Sequence, residues 1–243
     1  MLETTQGLVL HTTQYSETSV ITKIFTRELG VRSYIVKGVR SSKSRNKQNL
    51  FQPLSHLDLT VYNSPKKDLN FIKDMHPACQ YPSLTTNPIK SSLLFFMNEV
   101  LYKTLQEQEP MHEVFDYVVD QLRQIELDEI PFSSQPQMFL LRMSTFMGIE
   151  PMNNYGLHEN RFDLKEGRFV QEPVNTTLPR YQSQLLPTKE SLQMHYMLAA
   201  YHGQEAPLTD NKTALRTLIS YYQSHLSEFR NFKSHEILHS ILS

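Results

Sequence analysis

A single cysteine, Cys79, is the whole thiol complement of this chain, so no internal disulfide can form. That fits a reducing compartment, and the expected location is the cytoplasm. Glycine is scarce as well. There are seven in 243 residues, with no Gly-rich phosphate loop and no Gly-x-Ser-x-Gly elbow. Nucleotide-cradling loops and nucleophile turns need glycine at fixed places, so both are disfavoured. No apolar run approaches the roughly 18–20 residues that cross a bilayer. The opening Met1-Leu2-Glu3-Thr4-Thr5 lacks the basic and apolar regions of a secretion signal. Acid is missing locally too: from Val31 to Leu57 there is no Asp or Glu, yet there are six basic residues.

That local imbalance is part of a larger one. Residues 1–80 hold 11 Lys and Arg against 6 Asp and Glu, a surplus of five. The remainder holds 13 against 19, a deficit of six, which hides the asymmetry in a net charge of −1. A basic part suits a polyanion, and an acidic part suits something else. With 39% hydrophobic and 20% charged residues the chain can bury a core, in one or two domains.

The first 80 residues read as five short strands. Gly7–Thr12, Val20–Thr26 and Val31–Val36 are rich in β-branched residues, with Gly30 supplying the turn before the third. Leu57-Asp58-Leu59-Thr60-Val61-Tyr62 alternates with the period of a strand that has one wet face. Leu69–Met75 makes the fifth, and five antiparallel strands with little helix suggest a small barrel. Between the third and fourth strands, Lys37 to Lys47 reads as a long polar loop.

After His76-Pro77 the pattern becomes helical. Asn87-Pro88 offers an N-cap and a first-turn proline for a helix over Ile89–Leu105. A second helix carries Val114 to Ile125. A third, about Gln137–Met147, is apolar nearly all round and ends at Gly148, which makes it the centre of a bundle. Phe162–Val170 reads as a hairpin around Gly167. Helices return at Lys189–Tyr201, Lys212–Phe229 and Ser234–Leu242. The fold class is α+β: a barrel over 1–80, then a mostly α-helical domain over 81–243.

Four constellations bear on function. Arg32, Lys37, Arg40, Lys43, Arg45 and Lys47 can neutralise phosphates and release counterions, with Ser41, Ser42, Ser44 and Asn46 as short hydrogen-bonding neighbours. Tyr34 and Tyr62 are the better stacking candidates for bases, and Phe25 and Phe51 are core candidates. Together these are the candidate nucleic-acid-binding residues. His235 and His239, four apart with His225 nearby, have metal-ligand spacing but no supporting cysteine, and are read as solvent-facing. Cys79 has His76 three residues earlier but none of the surrounding pattern of a nucleophile, so no enzyme activity is expected. Tyr221, Tyr222, Leu226 and Phe229 form a candidate groove for a partner. A protein-interaction adaptor, docking a peptide there and an acidic partner on the basic loop, is the competing function.

The chain also resembles a known family. Gly7-Leu8-Val9-Leu10, Tyr15-Ser16-Glu17-Thr18 and Ile24 to Gly30 are followed by Lys37-Gly38-Val39-Arg40, Ser44-Arg45 and Leu50 to Leu54. In that order they resemble the opening of the bacterial recombination mediators of the RecO family. Phe139 to Gly148, Phe162-Asp163 with Gly167, and Tyr222, His225 and Leu226 are similar in layout to its second half. The resemblance implies an N-terminal OB-fold, binding of single- and double-stranded DNA, strand annealing, and loading of RecA in gap repair. It implies RecR and the C-terminal tail of single-strand-binding protein as partners, RecA indirectly, and work at the nucleoid. Many members carry a four-cysteine zinc site. Here Pro151 to Pro173 contains no cysteine, so the expectation is no metal and no cofactor, with the insertion of about 149–187 surviving as a hairpin held by packing alone.

Overall fold

The computed structural model describes residues 1–39, 48–64, 68–105, 109–172, 184–207 and 210–241. Two compact units emerge, Met1–Ile130 and Pro131–Ser243.

The first unit is built on five strands: β1 (Leu2–Gln14), β2 (Val20–Thr26), β3 (Gly30–Val36), β4 (His56–Tyr62) and β5 (Leu69–Pro77). They close into a barrel in the order β1-β2-β3-β5-β4, with β4 returning to β1. This is the OB-fold topology. β1 is long enough to serve two neighbours: Leu2 to Leu8 pair with β4, and Gly7 to Gln14 pair with β2. A bulge between Val9 and His11 bends the strand between these duties. One pairing differs from the all-antiparallel expectation, since β3 and β5 run parallel. The reason is arithmetic. Strand direction cannot alternate all the way round a closed ring of odd number, so at least one neighbouring pair must be parallel.

Val9, Ile24, Leu29, Tyr34, Leu57, Leu59 and Val61 fill the barrel. Gly30 takes φ +69°, the left-handed conformation the β2–β3 turn demands. Three helices follow, α1 (Pro82–Thr86), α2 (Pro88–Thr104) and α3 (His112–Glu126). Asn87 starts α2 as read from the sequence: its Oδ1 accepts from the amides of Ile89 at 2.9 Å and Lys90 at 3.4 Å. Asn98 of α2 donates to the Leu10 carbonyl at 3.0 Å, and Phe115 of α3 meets Phe25 edge-on at 5.5 Å. These contacts tie the helices to the barrel.

The second unit contains α4 (Gln135–Phe146), the hairpin β6 (Glu159–Asp163) and β7 (Arg168–Gln171), α5 (Thr188–Tyr201), α6 (Asn211–His225) and α7 (Ser234–Ile241). Phe139, Leu140, Leu141 and Met143 of α4 are wholly buried, as an all-round apolar helix must be. The sequence suggested one helix from Lys212 to Phe229. Instead α6 stops at His225, Leu226 is extended, and a 3₁₀ turn covers Ser227–Asn231. The break turns Phe229 inward, where its ring stacks on Phe232 at 4.7 Å.

The hairpin is held by more than packing, which corrects the sequence expectation. The Asn154 side-chain amide accepts from Phe169 N at 2.8 Å and donates to Phe169 O at 2.9 Å, in the manner of an extra strand. Asp163 Oδ1 accepts from the amides of Lys165 and Glu166 in the turn, and Ser191 Oγ accepts from Phe162 N. The side chains here do not fit a zinc ion. Asn153 and Asn154 stand near the hairpin rather than thiols, and the nearby His195 ring is already engaged with Asn153 Oδ1 at 2.9 Å.

Candidate nucleic-acid interface

Strand alternation decides which side chains leave the barrel. On β4, Leu57, Leu59 and Val61 point inward, while Asp58, Thr60 and Tyr62 face outward. On β5, Asn70 is buried and Ile72 half-buried, while Phe71 and Lys73 are exposed. Tyr62 and Phe71 are register partners across the two strands, 51% and 44% exposed. Directly opposed residues of an antiparallel pair have Cβ atoms roughly 5 Å apart. The two side chains therefore share one exposed patch on the outer face of the barrel.

That patch lies in a concave groove of about 780 Å³ over β3 and β5. Lys37, exposed just past the end of β3, and Lys73 line it with Ile35, Leu50 and Met75. Asp74 is the one carboxylate lining it among the described residues, and it accepts from or pairs with His76 Nε2 at 3.1 Å. The His76 ring and the Met75 amide hold the Asp74 carboxyl below the usual carboxylate range. The flanks of both basic segments converge here. Lys37 precedes and Leu50 follows the stretch that carries Arg40, Lys43, Arg45 and Lys47, and all four of those lie outside the described residues. Tyr62 precedes and Phe71 follows the stretch that carries Lys66 and Lys67, which also lie outside them.

Two expected members are elsewhere. Tyr34 is 1% exposed, inside the barrel core, and burial pushes its hydroxyl well above the ordinary tyrosine range. A ring with no open face cannot stack a base. Alternation does not separate the faces of β3, where Val31 and Ile35 on one side and Tyr34 and Val36 on the other are all buried. Arg32 sits toward the other end of β3 from Lys37, half-buried, with Nε donating to the Leu29 carbonyl at 3.0 Å. Phe71 and Lys73 were missed. Alternation over Leu69 to Met75 was the available signal, since Phe71 and Lys73 share a parity opposite to Ile72.

The helical partner groove is not formed by the residues proposed for it. Tyr221, Tyr222 and Phe229 are 1% exposed or less, and only Leu226 is partly open. The tyrosine hydroxyls are spent internally, donating to the carbonyls of Ile149 at 2.7 Å and Leu140 at 2.5 Å. These rings are core. Cys79 is exposed with its thiol toward the Gln80 carbonyl, while His76 turns to Asp74, so the two do not form a nucleophile–base pair. His225 Nε2 bonds the Leu164 carbonyl, and His235 stacks on Phe232. Among the described residues no group of three or more His, Cys, Asp or Glu is placed to hold a metal ion, and no helix is long and apolar enough to cross a membrane.

A second cavity, about 540 Å³, is lined by Arg27, Glu28, Asp58 and Asp74. Its arginine is already bound to Asp116 and Glu28, at 2.8 Å each. Its acidic lining repels a polyanion, so the β3–β5 groove is the better phosphate-facing surface.

Comparison with known proteins agrees with this architecture. The family described as Recombination protein O N terminal matches residues 1–81, and Recombination protein O C terminal matches residues 86–235. A DNA repair protein RecO of Phocaeicola vulgatus is 32% identical over 246 residues, covering 100% of both chains. That of Azobacteroides pseudotrichonymphae is 30% identical over 242 residues, covering 99% of both. That of Flavobacterium johnsoniae is 28% identical, covering 98% of each.

Proposed function

The chain belongs to the RecO family of DNA repair and recombination proteins, and from that premise we propose that it is a non-catalytic DNA-binding mediator working through the β3–β5 groove. The carrying observation is that the flanks of both basic segments, 40–47 and 66–67, line one groove whose own lysines, Lys37 and Lys73, are exposed. Cations so placed neutralise the phosphate backbone and release its counterions, without regard to sequence, on single and double strands alike. Annealing follows from the same charge. Two polyanions brought to a neutralising surface repel each other less, and their bases can pair. The proposed partners are RecR and the C-terminal tail of single-strand-binding protein, with RecA loaded indirectly. The proposed place of work is the nucleoid in the cytoplasm.

The test is a titration of labelled oligonucleotide at several salt concentrations. If five or six phosphates are contacted, log K falls against log salt with a slope of about −4 to −5. Replacing Lys43, Arg45 and Lys47 together with alanine weakens binding and flattens that slope by about 0.9 per lost contact on duplex, somewhat less on single strands. Unchanged affinity and slope would remove the basic segment from the site.

A further inference from the structure

The exposed pair Tyr62 and Phe71 has no role in charge neutralisation, and neither ring is needed to fill the barrel. Roughly half of each residue is left in water along the groove. Large apolar rings held open by strand register, with a lysine at Lys37 and another at Lys73, match one kind of ligand chemistry: flat π-faces strung on an anionic backbone. The one groove carboxylate among the described residues, Asp74, keeps its charge beside His76 and is outnumbered by Lys37 and Lys73.

We propose that Tyr62 and Phe71 are a base-stacking platform that gives the groove its affinity for single-stranded over double-stranded DNA. The proposal rests on the DNA-binding reading of the groove and adds residues and strand preference to it. A duplex hides its base faces within the stack and presents only phosphates to this surface. A single strand offers both phosphates and faces. Stacking uses the π-face alone, so the Watson–Crick edge of a held base stays free to find its complement. The platform therefore binds a strand in a form that can still anneal.

The experiment compares a dT oligonucleotide, an abasic oligonucleotide of the same length and a duplex, for wild type and for the Tyr62→Leu, Phe71→Leu double variant. The wild type should prefer the dT strand over the abasic strand by about 5- to 100-fold. The double variant should lose that factor on dT and keep wild-type affinity for the abasic strand and the duplex. Its salt slope should be unchanged, because no phosphate contact is removed. The aromatic variant Tyr62→Phe, Phe71→Tyr keeps both rings and should keep the preference, which separates stacking from any loss of fold. The chain has no tryptophan, so quenching of tyrosine emission by dT gives a second reading. Equal loss on all three ligands, or no loss on dT, overturns the platform while leaving the groove's charge-based binding intact. Failure of the wild type to bind any DNA overturns the underlying reading as well.

Discussion

At the residue scale, His56 illustrates how a side chain can be costly and still be kept. It begins β4, is 6% exposed, and packs against the Phe115 ring. Neither ring nitrogen has a hydrogen-bond partner among the described residues. An unpaired buried donor of this kind costs about 1–3 kcal/mol. Burial lowers its pKa, and the charge of Asp58 opposes that only in part. The sign of the consequence is fixed. The folded chain holds this proton less tightly than the unfolded chain does, so stability from a neutral His56 is fully present above roughly 6.5, the unfolded value. It is lost as pH falls through that value toward the folded one. Urea midpoints measured from pH 7.5 to 5 should therefore decline for wild type. The decline should be shallower in His56→Leu, which carries no proton to that site. Parallel curves would mean that this imidazole does not titrate with folding.

Single residues are also the least legible part of the sequence. Tyr34 and Phe71 are both aromatic residues on barrel strands, and periodicity separates them only when one face of the strand is polar. β3 has buried residues on both faces, so nothing in its sequence says which way Tyr34 points. On β5 the outward parity was legible in Phe71 and Lys73, but only the closed barrel places Phe71 beside Tyr62.

At the scale of elements, local chemistry was legible wherever one residue type had one structural use. Asn87-Pro88 set the start of α2 at the residue where the structure begins it, because an Asx side chain and a proline both suit that position and few others. Replacing Asn87 by alanine should cost about 1 kcal/mol in urea unfolding, the usual loss for a helix cap. A loss below a few tenths would mean that water satisfies the freed amides. The end of α6 was not legible. Leu226 has no breaker chemistry, and the chain turns there because Phe229 gains burial against Tyr222 and Phe232. That is a tertiary gain that no helical period records.

At the scale of the whole molecule, the charge asymmetry and the missing cysteines bear on the same question: what each unit relies on. The acid-free stretch belongs to the barrel unit, so the DNA affinity proposed for it would not depend on a metal in the second unit. The second unit needs its hairpin closed by other means, and Asn154 supplies two of them at Phe169. A structural zinc would contribute folding free energy outright, and a chelator would then unfold the unit. Here prolonged treatment with a strong chelator should leave both the thermal midpoint and the DNA affinity unchanged. Asn154→Ala, by contrast, should destabilise the second unit by about 1–3 kcal/mol, since it strips partners from an amide and a carbonyl at the buried Phe169. The two measurements discriminate sharply. A chelator-sensitive midpoint with an indifferent Asn154→Ala would show that the hairpin is metal-held after all, through ligands other than cysteine. The opposite pair would show that the Asn154 side chain, rather than a metal ion, closes the hairpin.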